Sequence, residues 1–426
     1  MVILGMFVVG AMALLGAPLF VVLLAFGMLG FYSVGVDLAI IPIEMYRLVD
    51  TPLLVALPLF TFSGYLLSEG NTSTRLVNLM QSLFGWLPSG LAIVAFIACA
   101  IFTALTGASG VTIVALGALL LPALQQAGFS EKFSNGLVTT SGSLGLLLAP
   151  SVPLILYGVV AQQLDVGEPF TIVELFIAGV VPLLLMLTLL SGWTIWKHRG
   201  GKIPRTAFAL PTVRAAMWDA RYELPLPFIV LGGVFSGVFA ISEAAAVTAL
   251  YVVLSETVLY REVPFKQLGR VMVESMVMVG GILMILGSAL AFTNYLVDAE
   301  VPQSLMLFLQ THISNVWTFL LLLNIVLLAM GALLDIFSAI VIMVPLLLPV
   351  AVSYGIHPVH LGIIFLANME IGYFTPPVGM NLFISSYRLK KPLLDLYSAT
   401  LPFMLIMLVA LVLITYIPQL SLWFIN

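Results

Sequence analysis

The sequence is poor in charge, cysteine and histidine. Asp, Glu, Lys and Arg make up 8% of its 426 residues, against about 25% in an ordinary soluble domain, while 62% are hydrophobic. That balance leaves no polar shell to cover so much apolar surface, which excludes a soluble globular fold. The single cysteine, Cys99, lies in an apolar run and excludes an internal disulfide. The four histidines, His198, His312, His357 and His360, fall in or beside loops, and they read neither as core residues nor as a metal centre. Fifteen scattered basic residues and a net charge of -4 provide no basic stripe, so no nucleic-acid partner is expected. The sequence has no zinc spacing, phosphate-binding loop or nucleophile elbow. Nor does Asp335 have a paired nucleophile and base at helical spacing, so an intramembrane enzyme is not expected.

What is abundant is apolar length. Runs such as Leu175–Leu190, Phe319–Met330 and Ala399–Ile417 are too long and uniform for barrel strands. The expected fold is an all-α polytopic membrane protein in contact with membrane lipid. Met1–Ala11 lacks a basic start and a small-residue cleavage site, so the first helix is expected to be retained. Two stretches are interrupted: Val2–Tyr32 by "LLGAP" at Leu14–Pro18, and Leu224–Leu254 by "FAISEAAA" at Phe239–Ala246. Taking each as two short helices, and Leu91–Leu124 and Trp317–Pro349 as re-entrant hairpins, predicts ten crossings. This places Arg75, Lys132, the Lys197–Arg221 cluster with Lys202, the Arg261–Arg270 group and Arg388–Lys391 on one side, with Arg47 opposite. Single long helices would carry the later basic groups across the membrane, and that reading is rejected. The cost of the two-helix reading is short helices of about 15 residues, below the usual span of about 20. The chain ends and the loops bearing Asp165, Glu168, Asp298 and Glu300 are expected outside.

A shift of 227 residues superposes Pro122 on Pro349, Gly145 on Gly372 and Pro150 on Pro377. Residues 1–196 and 224–426 thus read as two repeats joined by a cytoplasmic linker, 197–223. Five crossings and a hairpin in each make the second repeat inverted relative to the first. In each repeat a hairpin precedes an interrupted helix. The first pair is "TALTGASG" at Thr103–Gly110 and "SGSLGLLLAPSVP" at Ser141–Pro153. The second is "MGALLDIFS" at Met330–Ser338 and "NMEIGYFTPPVG" at Asn368–Gly379. Proline lacks an amide proton, so Pro150, Pro376 and Pro377 open the helices, and Gly107, Gly110 and Gly331 allow reversal or close approach. Backbone freed in this way at membrane depth must be buried in protein or face a water-filled cavity.

Hard oxygens there suit a small cation such as Na+. The metal candidates are Thr103, Thr106, Gly107, Ser109, Gly142, Gly331, Asp335, Ser338 and Thr375. Helix N-terminal amides beyond each break suit a carboxylate. The substrate-binding candidates are Ser143, Pro150, Asn368, Gly372, Thr375, Pro376, Pro377 and Asn381. No Lys or Arg falls within the predicted hydrocarbon region. Several of these residues also have a structural reading: Asp335 as a hydrogen-bonding group, the small residues near Thr106 as helix packing, and Glu243 and Glu370 as capping or loop ligands. Gly233 and Gly237 are spaced for packing. Asp37–Thr51 reads as an amphipathic interfacial arm, and the linker as helical from Thr212.

The segments Gly142–Gly158, "SEAAAV" at Ser242–Val247, Met330–Pro349 and "IGYFTPPVGMNLF" at Ile371–Phe383 carry a family likeness. Over essentially its whole length the chain resembles the large permease subunit (DctM-like) of tripartite ATP-independent periplasmic transporters, within the ion transporter superfamily. It differs in having Ala240, Ile241 and Ser242 before Glu243, where the family usually has Thr-Pro-Thr, and Ala149 where a second proline is common. The resemblance implies a bacterial inner-membrane secondary transporter that imports an organic acid anion on a sodium gradient, with an elevator-type transport unit moving against a scaffold. It also implies a periplasmic solute-binding protein and, since no four-helix region is fused here, a separate small four-helix membrane subunit. Its sodium and substrate region would correspond to Thr106–Gly110, Gly331–Asp335, Ser141–Pro150 and Asn368–Pro377. A passive channel and a purely structural membrane protein are the competing readings.

Overall fold

The computed structural model describes residues 2–49, 52–200, 203, 205–313 and 315–425, and omits the side chains of 2, 3, 14, 44, 47–49, 52 and 53. The expectations resting on Met1, Glu44, Arg47, Thr51 and Lys202 therefore lie outside the described residues.

The described residues form helices and no strand. A hairpin of α1 (Val2–Leu14) and α2 (Leu19–Ser33) is followed by α3 (Ile40–Val49), α4 (Ala56–Glu69) and α5 (Thr72–Phe84). Next come α6 (Gly90–Thr106), α7 (Ser109–Gln126), α8 (Glu131–Ser141) and α9 (Val152–Gln163), then α10 (Ile172–Ala178) and α11 (Val180–Lys197). Then come α12 (Leu210–Asp219), α13 (Pro225–Phe235), α14 (Ile241–Leu254), α15 (Phe265–Asp298) and α16 (Val301–His312). The chain continues with α17 (Val316–Leu333), α18 (Ile336–Ser353), α19 (Pro358–Gly372), α20 (Met380–Leu389), α21 (Leu393–Tyr416) and α22 (Gln419–Leu422). Both expected interruptions are present, between α1 and α2 and between α13 and α14. Among the described residues seven helices are long and apolar enough to cross a bilayer, or eight if Glu131–Leu147 and Val152–Gln163, bent by 43°, are one crossing.

The broken helices occupy the centre. Every residue of α19 is buried, as is α9 from Val152 to Ala161. A helix apolar on all sides must be surrounded, and these are: α19 packs on α17 and α21, and α9 on α18. Outer helices instead present Phe228, Val277 and Leu405 outward, as a lipid-facing surface requires. α4 and α15 pack on each other, with α14 against α4 and α2 against α15.

His360 corrects the reading of the histidines. It lies within α19 because the helix starts at Pro358, two residues earlier, and its ring is buried with Nδ1 2.6 Å from Ser421 Oγ. Glu243 accepts the Ala240 amide at 2.8 Å and so closes the first turn of α14, the ordinary capping role. Arg75 on α5 is buried among three carboxylates. It bonds Glu223 at the end of the linker and Glu262 before α15, and lies 3.6 Å from Glu256. Burial pushes the Glu262 carboxyl up, but the Asn71 amide and Arg75 outweigh this and hold it below its ordinary value.

Candidate functional site

Each hairpin tip is built by one chain reversal. α6 ends at Gly107, whose positive φ of 68° admits glycine without strain, and Ala108 is extended before α7 begins. In the second hairpin Leu334 is extended and Asp335 caps α18. The Asp335 carboxylate accepts the Ser338 amide at 3.0 Å and also the Ser338 hydroxyl. Each interrupted helix opens ahead of a proline. After α8 a short 3-10 turn, Leu144–Leu147, leads to Pro150, and Pro153 sits in the first turn of α9, where no amide partner is needed. After α19 the chain passes through Pro376, Pro377 and Gly379 before α20 begins. The Ala149–Pro150 and Pro376–Pro377 bonds are both cis.

Close packing joins each tip to its break. There is no room for a Cβ at Gly145, which would strike the Ala100 carbonyl oxygen and Ala104 amide, or at Gly372, which would strike the Gly331 backbone. Thr103 Oγ1 lies 2.7 Å from Thr112 Oγ1 and donates to the Gly142 carbonyl at 2.9 Å, fastening α6, α7 and the first break together. The breaks also touch each other. Ser143 Oγ donates to the Glu370 carbonyl at 3.0 Å, and the Leu147 amide donates to Glu370 Oε1 at 3.3 Å.

Beside this assembly is a cavity of about 850 Å³. Gly107–Gly110 of one tip and Asp335–Phe337 of the other border it, with Leu146 and Tyr373 from the breaks. The opposite wall is α4, through Tyr65, Ser68 and Glu69, and α15, through Glu274, Met278 and Ile282. Arg388 lies at the exposed mouth. The N-terminal ends of α7 and α18 thus reach the cavity, though the Ile336 amide is already used by the Tyr373 hydroxyl at 2.8 Å. Where α4 approaches the first hairpin, Gly64 meets the Thr106 backbone so closely that no side chain fits between them.

Of the metal candidates, Gly107, Ser109 and Asp335 line the cavity. Thr106 bonds the Phe102 carbonyl at 2.9 Å within its own helix, while Thr103, Gly142, Gly331 and Ser338 brace the tips. None of the substrate candidates lines the cavity, and Pro376 and Pro377 are exposed. Asn368 Nδ2 reaches Asn324 Oδ1 at 2.7 Å, Thr375 bonds the Ile371 carbonyl at 2.8 Å, and Asn381 Nδ2 bonds the Thr139 carbonyl at 3.3 Å. Ser143 and Gly372 join breaks and tips, and Pro150, Pro376 and Pro377 form the breaks themselves. Tyr65, Glu69, Glu274, Tyr373 and Arg388 were not anticipated. A clue was available for Arg388, the first of three basic residues just beyond the second break, and for Glu274, a carboxylate in an apolar run; Tyr65 and Glu69 carry no local signal.

Comparison with known proteins agrees with this architecture. The family model for the DctM component of the tripartite ATP-independent periplasmic transporter matches residues 3–420. The C4-dicarboxylate TRAP transporter large permease protein DctM of Rhodobacter capsulatus is 35% identical over 92% of this chain and 91% of its own. Its counterpart in Pseudomonas aeruginosa is 36% identical over 89% and 88%. The isethionate TRAP transporter permease DctMQ of Oleidesulfovibrio alaskensis is 33% identical over 88% of this chain and 58% of its own. A solved structure, the YdaH transporter of Alcanivorax borkumensis, covers 87% of this chain and 88% of its own with a TM-score of 0.60. At 17% identity that is a likeness of fold. These relatives are named as permeases and not as enzymes. The chain belongs to the tripartite ATP-independent periplasmic transporter family, as a DctM component, and so to a family of multi-pass membrane transporters.

Proposed function

We propose that this chain is the large membrane subunit of a sodium-coupled importer of an organic acid anion in the bacterial inner membrane. The observation carrying this reading is the meeting of two hairpin tips and two broken helices beside one cavity. Helix ends aimed into a shared space offer amides to a carboxylate and oxygens to cations, which is how broken-helix transporters bind both. Arg388 adds positive charge at the mouth. Relatives named for C4-dicarboxylates, isethionate and ectoine support an organic acid or a similarly small polar solute.

In this reading residues 1–196 and 224–426 are inverted repeats of five crossings each, with 197–223 as the cytoplasmic linker. α6–α9 and α17–α20 move as an elevator against α4 and α15. Sodium is held by the tips, around Ser109 and Asp335. A small four-helix membrane subunit and a periplasmic solute-binding protein complete the system. Moving one charge against 100 mV costs about 2.3 kcal/mol, so a dianion entering a negative cell faces roughly 4.6 kcal/mol. Two sodium ions cancel that cost, and a third drives accumulation.

The test is uptake by proteoliposomes containing this chain and its small partner, supplied with the binding protein and candidate acids. An imposed sodium gradient at fixed membrane potential is expected to drive uptake. Uptake indifferent to sodium would refute the coupling, and conduction without the binding protein would favour a channel.

A further inference from the structure

α8 and α20 run antiparallel between two fixed ends. Asn381 Nδ2 bonds the Thr139 carbonyl at one end, and Lys391 Nζ pairs with Glu131, the first residue of α8, at the other. Asn135 is one turn from Thr139 toward Glu131, and Ser385 is one turn from Asn381 toward Lys391, so helical rise brings these two to the same level. Asn135, Asn381 and Ser385 are all more than nine-tenths buried. Asn135 Oδ1, Asn381 Oδ1 and Ser385 Oγ are without a hydrogen-bond partner among the described residues. Buried oxygens are normally paired, so three together on facing helices mark a place for something else.

The other half of the molecule shows that packing does not demand them. Across the 227-residue shift, Asn135 corresponds to Gly362, Asn381 to Leu154 and Ser385 to Gly158. There α9 packs on α19 with the Tyr157 ring against Gly362, and the Tyr157 hydroxyl is satisfied by the Pro358 carbonyl at 2.6 Å. The equivalent contact is therefore made without any amide or hydroxyl at these three positions.

We propose that Asn135, Asn381 and Ser385 form a sodium site separate from the hairpin tips. Neutral oxygens suit a monovalent cation, whereas calcium and magnesium sites draw on carboxylates, and the nearby Glu131 is occupied by Lys391. The inference rests on the sodium-coupled reading and supplies the additional positive charge that a dianion requires.

The test is the thermal unfolding midpoint of the purified chain in nanodiscs, titrated with NaCl against choline chloride at constant ionic strength. Sodium stabilises the wild type. Ser385→Ala is expected to raise the half-saturating sodium concentration roughly tenfold or more. Asn135→Asp, which puts a formal charge beside the ion, lowers it. If both variants keep the wild-type titration, the three oxygens hold water and the site is refuted. If the wild type does not respond to sodium, the coupling reading fails and this site with it.

Discussion

The Ser143 hydroxyl donates to the backbone carbonyl of Glu370 across 3.0 Å, and the two residues are 227 positions apart. That is also the separation of Pro150 from Pro377 and of Gly145 from Gly372. The bond therefore joins the two broken helices. On the same residue, the Glu370 side chain reaches back to the Leu147 amide.

Glu370→Ala removes the acceptor of a buried amide and is expected to cost about 1–3 kcal/mol, whereas Glu370→Gln keeps an oxygen there and costs less. Chemical unfolding of the two variants in one detergent measures the difference. Equal losses would show that the Leu147 contact is not what Glu370 contributes.

Glycine substitutions should separate by sign. Gly145→Ala drives a methyl group into the α6 backbone and is expected to lose about 1–3 kcal/mol or more. Gly269→Ala, on an exposed part of α15 with open space around it, gains up to about 1 kcal/mol from helix propensity. Melting temperatures of the two variants check both directions.

Asp335 is both a cap and a cavity residue, and two substitutions distinguish these roles. Asparagine caps a helix about as well as aspartate, so Asp335→Asn is expected to fold normally and yet lose sodium-driven uptake, while Asp335→Ala also loses about 1 kcal/mol of stability. Uptake and melting measured on the same preparations check this, and full sodium response in Asp335→Asn would leave only the cap.

Acid should weaken the Arg75 cluster through Glu262. Its carboxyl lies below the ordinary value near 4.5, so it contributes stability above that pH and loses the contribution as pH falls through the folded value. Melting temperatures between pH 7 and pH 3 are expected to fall less steeply for Glu262→Gln than for the wild type.

The helical architecture and both breaks were legible because proline and glycine act locally: Pro150 and Pro377 each interrupt a helix close to a glycine, Gly145 and Gly379, whereas Pro122, Pro345 and Pro402 lie inside continuous helices. The hairpin tips were legible for the same reason, through Gly107, and through Asp335 as a charge in an apolar run. What packs against the tips was not. Met278 and Ile282 resemble any apolar residue of a spanning helix, and only the tertiary fold brings them to Ser109. The Arg75 cluster escaped notice because its partners Glu223 and Glu262 are 148 and 187 residues away in sequence. Asn368, an evident polar residue on a broken helix, turned out to reach Asn324 and not the cavity, since a sequence shows the polarity of a residue but not which way its helix is turned.

Gly64 offers Thr106 only bare backbone, so this meeting of α4 with the first hairpin has no interlocking tooth. Side-chain ridges seated in grooves must climb over one another before two helices can shift. A smooth patch imposes no such step, and a bulky residue at position 64 would work like a pawl that holds the hairpin in place.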